Sequence, residues 1–405
     1  MKKILFILAM FAVTSVSAID RFVDPNLGSG NGTTLFTTVT SAVNAAVNGD
    51  RILIVAGTYN EPTLTLNKSL VIIPQVAGTY VNYNGNITIA GFPGMNLSIL
   101  GFRLGIYSVT ANAITSGSAT NRATINIIDS RMTDISLDQD FYDLTAVRCS
   151  NSGIAIFRYG NFICSKVSDL YVKDEVNQLS LDGKITIIND TILNRFEFRN
   201  DNHRCLVANN LLSSLIFFKW NYSQSVSNSI RNNQFTSGAT IFFPGGVPSY
   251  NIEIVSNEFI GAPVYFNGSY CGGGGYDGGD GWCGFYWNGG TASFPDPNSP
   301  GFFKWTYNGI DLPCTIPTGS QPLVLTKITG LTGTNINAGN PNHDYYDIDL
   351  TINDRGRTGG PYSILNYNPI FNPSNGKAYV FDLEIPADLF PGQQIDIKAK
   401  GYHRN

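Results

Sequence analysis

The chain of 405 residues is long enough for two or three ordinary domains, and its composition argues against a mainly helical protein. Charged residues make up only 14% of the chain while 42 residues are glycine, so the surface must be covered largely by Asn, Ser, Thr, Tyr and backbone groups, as in β-rich proteins. The formal net charge of −4 argues against nucleic acid and anionic lipid as partners, because binding of phosphate needs clustered Lys and Arg.

The first segment, residues 1–18, has the pattern of a secretory signal peptide. Lys2 and Lys3 precede an apolar run, and the compact side chains of Val16 and Ala18 stand where a cleavage site needs them. No cysteine lies near the cleavage site, so a lipid anchor is not expected. No later apolar run reaches the roughly 18 residues of a membrane span. We therefore predict a protein that is secreted or held at the cell surface, without a transmembrane segment.

A short helix is predicted next. Its apolar residues follow helical spacing at positions 35, 36, 39, 43, 46 and 47, and Asn48-Gly49 ends it. Residues 50–55 then have the composition of a strand. An amphipathic helix placed before the first strand of a solenoid would cover an open sheet edge, so we expect it to be an N-terminal cap.

One short pattern then returns about every twenty residues. It consists of two apolar residues in alternation, a small polar residue three positions later, and another apolar residue. Clear copies occupy 125–132, 185–192, 205–212 and 252–259, with a partial copy at 228–235 and two blurred ones. The small polar positions are Ser130, Ser150, Ser168, Asp190, Asn210, Asn233 and Asn257.

This repeat predicts a solenoid, in which each coil buries its apolar face against the next. The alternation gives a short strand, and the polar residue is expected at a turn, so that stacked coils align these residues along the outside. Two architectures fit, a leucine-rich repeat and a parallel β-helix. The stretches between the motifs contain Asn, Ser, Thr and aromatic residues rather than leucine at helical spacing, which favours the β-helix.

The two ends of the chain carry a resemblance to a known family. The run from Asp24 through the predicted helix to Gly49-Asp-Arg-Ile-Leu-Ile-Val-Ala-Gly-Thr-Tyr59 resembles the opening of secreted bacterial right-handed parallel β-helix proteins of the pectin-lyase-like superfamily. Asn353-Asp-Arg-Gly-Arg-Thr-Gly-Gly-Pro361 is similar to the segment that closes many of them. The resemblance implies the fold. It leaves the activity open, because the superfamily holds polysaccharide lyases, glycosidases, tailspikes and surface proteins without a known reaction.

The region beyond the repeats changes in character. We divide the mature chain into a β-helix with its cap at 19–262, a Gly- and aromatic-rich insertion at 263–318, the end of the β-helix at 319–375, and a C-terminal antiparallel hairpin at 376–405. The insertion carries aromatic candidates for binding a sugar or a protein partner, or for a small satellite core: Tyr276, Trp282, Tyr286, Trp287 and Trp305.

The cysteines and acids of the chain suggest further sites. Cys271 and Cys283 flank a glycine-rich loop and are predicted to pair, whereas Cys149, Cys164 and Cys205 are expected to be buried thiols and Cys314 is left unassigned. No cofactor is expected. The alternative is a calcium ion at Asp277 and Asp280, although two carboxylates fall short of its usual number of oxygen ligands.

Candidate catalytic residues come from the positions two before each small polar residue, which include Arg148, Lys166 and Arg231. The resemblance implies that such bases would abstract a proton in a β-elimination on acidic polysaccharide, with calcium bound to the uronate. The alternative is that these are solvated charges on a sheet face. The sequence thus predicts an exported structural or binding protein that contacts polysaccharide or a cell-envelope protein. A polysaccharide lyase or glycoside hydrolase is the rival interpretation.

Overall fold

The computed structural model describes residues 18–118, 120–173, 184–199, 204–217, 227–244, 251–259, 265–269, 286–288, 291–293, 303–306, 323–325, 336–347, 350–363, 379–384 and 398–402. Helix α1 spans Val39–Ala45, and a 3₁₀ turn spans His343–Tyr345.

The strands of the first half, in chain order, are β1 Asp20–Val23, β2 Leu35–Phe36, β3 Arg51–Ile54, β4 Gly57–Tyr59, β5 Leu64–Leu66, β6 Val71–Pro74, β7 Val81–Tyr83, β8 Ile87–Ile89, β9 Asn96–Leu100, β10 Phe102–Arg103, β11 Val109–Ala111, β12 Ala123–Ile128, β13 Arg131–Met132, β14 Ile135–Leu137, β15 Tyr142–Val147, β16 Ser150–Asn151, β17 Ile154–Phe157, β18 Gly160–Ile163 and β19 Lys166–Val172. Those of the second half are β20 Lys184–Ile188, β21 Thr191–Phe198, β22 Arg204–Ala208, β23 Leu211–Phe217, β24 Ser227–Arg231, β25 Gln234–Pro244, β26 Asn251–Val255, β27 Glu258–Phe259, β28 Tyr265–Ser269, β29 Tyr286–Asn288, β30 Thr291–Ser293, β31 Phe303–Thr306, β32 Leu323–Leu325, β33 Tyr379–Glu384 and β34 Lys398–Tyr402.

These strands form a right-handed parallel β-helix, which confirms the predicted fold class. Two long sheets run the length of the solenoid, and nearly all of their pairings are parallel. The first sheet takes one strand from each coil, for example β9, β12, β15 and β18 in succession. The second sheet takes two short strands from each early coil, such as β13 and β14. They merge into single longer strands in β19, β21, β23 and β25, and β25 then pairs with two separate strands, β27 and β28.

The core is a set of inward-facing rows along the solenoid axis. In the first sheet, Ile127, Ala146, Phe162, Ile187 and Val207 lie in register on successive strands and are completely buried. Successive side chains of a strand point to opposite faces, so this alternation selects the inward set. Among the described residues α1 is the sole α-helix, and coils made of strands rule out the leucine-rich repeat.

Helix α1 covers the N-terminal end of the solenoid, as the sequence predicts, although it is shorter than its apolar pattern. Leu35 and Phe36 belong to β2, which pairs with β1, and Thr38 is the N-cap residue of the helix. The carboxylate of Glu61 accepts hydrogen bonds from the backbone N–H groups of Val39 and Thr40, at 2.7 and 2.8 Å. An acid at the N-terminus of a helix stabilises both its free N–H groups and its dipole.

A ladder of polar side chains runs through the interior, two residues beyond the end of each first-sheet strand. The Oδ1 atom of Asn257 accepts from the backbone N–H of Asn233 at 2.8 Å, and the Oδ1 atom of Asn233 accepts from that of Asn210 at 3.0 Å. The Oδ1 atom of Asn210 accepts from the backbone N–H of Asp190 at 2.8 Å, and the Oδ1 atom of Asp190 accepts from the backbone N–H of Ser165 at 2.6 Å. We call these residues, which are all buried, the inner ladder: Ser130, Cys149, Ser165, Asp190, Asn210, Asn233 and Asn257.

The inner ladder corrects two sequence expectations. Its members are buried inside the coil rather than aligned along the outside, because each side chain satisfies backbone groups of the neighbouring coil. Cys149 and Ser165 occupy the places that the blurred repeats assigned to Ser150 and Ser168. The cause is a short coil: the N–H of Cys149 donates to Ser165 Oγ, and the two residues are only 16 positions apart. A spacing of about twenty residues therefore places the next polar residue too far along the chain.

The predicted C-terminal hairpin is present as an antiparallel pair, β33 and β34, which forms a two-stranded sheet of its own. Its register places Asp382 opposite Lys400 and Glu384 opposite Lys398, so residues of opposite charge face each other across the pair.

Candidate functional site

A second column of residues follows the outer edge of the first sheet, one position before the inner ladder. Each member has a positive φ between 51° and 59°, which turns the chain from the first sheet into the second. We call this the corner column: Asp129, Arg148, Cys164, Asn189, Asn209, Asn232 and Ser256. Asparagine tolerates this left-handed conformation better than most residues do, and it supplies an amide that points away from the core.

The last four members of the corner column hold a C-terminal segment, the strap, made of residues 336–347 and 350–363. Asn189 donates from Nδ2 to the carbonyl of Tyr362 at 3.0 Å, and Asn209 donates to those of Arg357 and Gly359 at 3.0 and 2.7 Å. Asn232 donates to Asp354 O at 2.7 Å, while Ser256 Oγ accepts from the N–H of Asn340 at 3.0 Å. The strap therefore lies across four successive coils and contains the closing segment 353–361 noted in the sequence.

The strap packs closely against the corner column at Gly359. A Cβ atom on Gly359 would stand 1.9 Å from the carbonyl oxygen of Asp354 and 2.7 Å from Nδ2 of Asn232. These distances are far below van der Waals contact, so only glycine allows the strap to approach the corner column at this point.

The strap also lies near Asp190, the carboxylic acid in the asparagine run of the inner ladder. Burial raises the pKa of Asp190 well above its ordinary value, although the backbone N–H of Ser165 and the charge of Arg357 on the strap act in the opposite direction. Its Oδ2 atom has no hydrogen-bond partner among the described residues, whereas the equivalent Nδ2 of Asn210 donates to Ile187 O at 2.9 Å.

Asp190→Asn is expected to stabilise the protein at neutral pH by about 1 to 2 kcal/mol, the scale of one buried hydrogen bond. Because the pKa of Asp190 is raised in the folded state, the contribution of this residue to the stability of the wild type is fully present below the unfolded pKa. That contribution is lost as the pH rises through the folded pKa. The gap between the variant and the wild type should therefore widen from pH 4 to pH 8 in urea melts. A gap that is constant with pH, or a destabilised variant, would contradict this.

The structure places the three candidate bases in different environments. Arg148 is a corner residue, largely buried, in an ion pair with Asp129. Arg231 ends β24, and its guanidinium lies 5.6 and 5.0 Å from the ring centres of Tyr345 and Tyr362 on the strap. Lys166 is exposed at the start of β19 in the other sheet.

The three bases therefore do not form one row. Val147, next to Arg148, is in register with Ile163, Ile188, Ala208 and then Arg231. Four strand spacings separate Arg148 from Arg231 by roughly 19 Å, and Lys166 lies on another face. Their catalytic role remains an untested prediction.

A richer set of polar groups lies on the outer face of the second sheet. Strands β14, β17, β19 and β21 are in register there, with their alternate residues buried in the core. The remaining residues, at or just beyond these strands, point outward. We call them the charged face: Asp134, Ser136, Asp138, Ile154, Ile156, Arg158, Asp169, Tyr171, Lys173, Arg195, Glu197 and Arg199.

Ion pairs connect the charged face along the solenoid axis. Arg158 donates to Asp138 at 3.2 Å and to Asp140 at 3.0 Å, and Lys173 reaches Asp138 at 2.5 Å. On the next coil the buried carboxylate of Glu197 is paired with the guanidinium groups of Arg195 and Arg199. These pairs hold the long side chains in defined positions on a flat sheet.

An apolar strip runs through the middle of the charged face. Ile156 and Tyr171 form the strip and lie in register, with the buried Glu197 next in the same row. The guanidinium of Arg195 lies 5.7 Å from the ring centre of Tyr171. Ile154 beside this row is 38% exposed. An aromatic ring next to oriented polar groups can contact the apolar faces of a ligand while those groups bond its polar edges.

No protein-family model matches the chain, and neither the curated proteins nor the solved structures contain a significant match.

Several predicted sites lie outside the described residues. They include the Cys271–Cys283 bridge, the calcium candidates Asp277 and Asp280, and the aromatic residues Tyr276 and Trp282. Of the other aromatic candidates only the backbone is described. Tyr286 and Trp287 lie in β29, and Trp305 lies in β31, which continues the first sheet beside β26.

Within the described parts of the chain, no group of three or more His, Cys, Asp or Glu side chains is arranged to hold a metal ion. Cys149, Cys164 and Cys205 are buried thiols, as predicted. Among the described residues, no helix is both long and apolar enough to cross a membrane.

The charged face was not predicted, although the sequence contains a signal for it. Ile154-Ala-Ile-Phe-Arg158, Asp169-Leu-Tyr-Val-Lys173 and Arg195-Phe-Glu-Phe-Arg199 are three alternating strands that each end in a basic residue. The repeat described above follows the first sheet and its corner, whereas this second pattern lies one strand further along each coil and has its own spacing.

Proposed function

We propose that this protein is an exported β-helix that binds a carbohydrate polymer along its charged face without cleaving it. The observation that supports this best is the joint presence of the half-buried Tyr171 ring and the fixed ion pairs of Arg158 and Lys173 on one face of the second sheet. Export rests on the predicted signal peptide.

The chemistry of the charged face suits sugar hydroxyl groups. Planar carboxylates accept hydrogen bonds in pairs and guanidinium groups donate them in pairs, and the ring of Tyr171 offers a face for the apolar side of a sugar. Acidic and basic residues are equal in number on the charged face. The acidic residues are Asp134, Asp138, Asp169 and Glu197, and the basic residues are Arg158, Lys173, Arg195 and Arg199. A balanced surface of this kind favours hydroxyl-rich ligands over phosphate-rich ones.

The positions of the candidate bases favour binding over β-elimination. A lyase needs its base within hydrogen-bond reach of the proton it removes, beside groups that neutralise the uronate. Arg148 is engaged with Asp129, and Arg231 lies against two tyrosine rings of the strap. The aromatic insertion at 263–318 remains a second predicted contact region.

Tyr171→Ala is expected to weaken retention on a polysaccharide about tenfold, because one aromatic contact is worth roughly 1 to 1.5 kcal/mol. Affinity electrophoresis against a panel of neutral and uronate-bearing polysaccharides measures the effect. Tyr80→Ala is the matched control, since Tyr80 is a partly buried tyrosine with an arginine, Arg103, 3.8 Å from its ring centre but lies away from the charged face.

The control should bind like the wild type. If no polysaccharide of the panel retards the wild type, or if Tyr171→Ala binds as well as the wild type does, the charged face is not the binding surface.

A further inference from the structure

We infer that the strap joins the coils carrying Asn189, Asn209, Asn232 and Ser256 into one unit that opens as a whole. In a solenoid each coil contacts only its neighbours, so coils near an end normally open one after another. A segment that bonds to four successive coils at once breaks that rule.

One residue of the strap forms hydrogen bonds with two adjacent coils. Asn353 of the strap is completely buried, and its Nδ2 atom lies 3.4 Å from Asn232 Oδ1 and 3.1 Å from Ser256 Oγ, two corner residues of adjacent coils. In return Asn232 donates to Asn353 Oδ1 at 2.8 Å. The opening of either coil therefore takes a hydrogen-bond partner from a buried amide of the strap, which is costly.

The strap is also bonded to itself, so it cannot detach piece by piece. The carboxylate of Asp347 accepts from the N–H of Gly360 at 2.5 Å and from that of Asp354 at 3.2 Å. The N–H of Asn337 donates to Asp354 Oδ1 at 2.7 Å, and that of Gly339 donates to Asn353 O at 2.7 Å. These bonds bring the two described parts of the strap together.

Further contacts tie the middle of the strap to the same coils. The guanidinium Nε of Arg357 donates to the backbone carbonyl of Asn209 at 3.1 Å, and the N–H of Gly356 donates to that of Ser256 at 3.0 Å. Side chains and backbone of the strap thus both satisfy groups at the positive-φ corners, where the coil leaves carbonyls outside its sheet ladders.

Hydrogen exchange of the full-length protein, followed by mass spectrometry, tests this inference with a change on the strap alone. Gly359→Ala substitutes no coil residue but places a Cβ atom against Asp354 O and Asn232 Nδ2, so the peptide holding Asn209 is the more decisive of the two coil peptides. If the unit opens as a whole, exchange should accelerate at least tenfold, and by the same factor, in strap peptides holding Gly339 and Gly356 and in coil peptides holding Asn209 and Asn232. Thr358→Ala, which removes an exposed strap side chain, is the matched control and should exchange like the wild type.

Peptides near Gly101, which is distant from the strap along the solenoid, serve as an internal reference and should not change. If strap peptides alone exchange faster and the Asn209 and Asn232 peptides keep wild-type rates, the strap is an independent appendage and the inference is overturned. Should Gly359→Ala fail to fold, Asn189→Ala removes a single strap bond from Tyr362 O. Its exchange is then judged by the same criterion, on the peptides of Asn209 and Asn232.

Discussion

Asn233→Ala is expected to lower the free energy of unfolding by roughly 3 to 5 kcal/mol. Asn233 Oδ1 accepts from both the N–H and the Nδ2 of Asn210, each at 3.0 Å, and Asn233 Nδ2 donates to Val207 O at 2.9 Å. The substitution leaves several completely buried groups without partners and opens a cavity in a closely packed interior. Urea denaturation followed by circular dichroism measures the change.

The control for this prediction is Asn194→Ala, which removes an exposed asparagine of the neighbouring sheet whose amide reaches Ser168 Oγ. Its effect should stay within about 0.5 kcal/mol, as for most surface substitutions. If both variants lose the same small amount of stability, the inner ladder does not hold the coils together.

Asp50→Ala is expected to destabilise the N-terminal cap by about 3 to 5 kcal/mol, because it leaves a buried arginine without its partner. Asp50 is completely buried and accepts from Arg21 Nε at 2.7 Å. Its carboxylate also accepts the backbone N–H groups of Ile19 and Val47, both at 2.9 Å. Thermal melting at pH 7 measures the loss, and Asp20→Ala, in an exposed pair with Arg51, should cost less than about 1 kcal/mol.

The same site predicts a dependence on pH. Burial by itself would raise the pKa of Asp50, but the N–H groups of Val47 and Ile19 together with Arg21 outweigh it and leave the pKa below its ordinary value. The stability that Asp50 contributes is therefore present above the unfolded pKa of about 3.9 and is lost as the pH falls through the folded pKa. The difference between wild type and Asp50→Asn should shrink in strong acid, and a difference that grows there would contradict this assignment.

The repeat was readable in the sequence because a buried strand and its following turn impose residue types on every coil. Ile187 and Val207 alternate with outward residues, and both are completely buried, as the alternation predicts. The consecutive pairs Asn209-Asn210 and Asn232-Asn233 were also visible. The different roles of the two residues were not visible. The first residue of each pair faces the strap and the second faces the interior, and only three-dimensional contacts distinguish them.

The strap and the charged face depend on contacts between distant parts of the chain. Asn209 and Gly359 are separated by 150 residues, and no local propensity predicts that contact. The pairing of Lys173 with Asp138 spans 35 residues and follows from the true length of the intervening coils, which irregular spacing concealed. A sequence period therefore predicts which residues point inward. It is a weaker guide to which outward residues are neighbours on the surface.

The most direct test of the proposed function is to incubate the wild-type protein with the polysaccharide that retains it, in the presence of calcium, and to measure both retention and chain cleavage. We expect stable retention that Tyr171→Ala weakens, with the polymer keeping its original size and gaining no unsaturated uronate ends. Unsaturated products that accumulate with time, and that disappear in Arg231→Ala or Lys166→Ala, would contradict the account and identify a lyase.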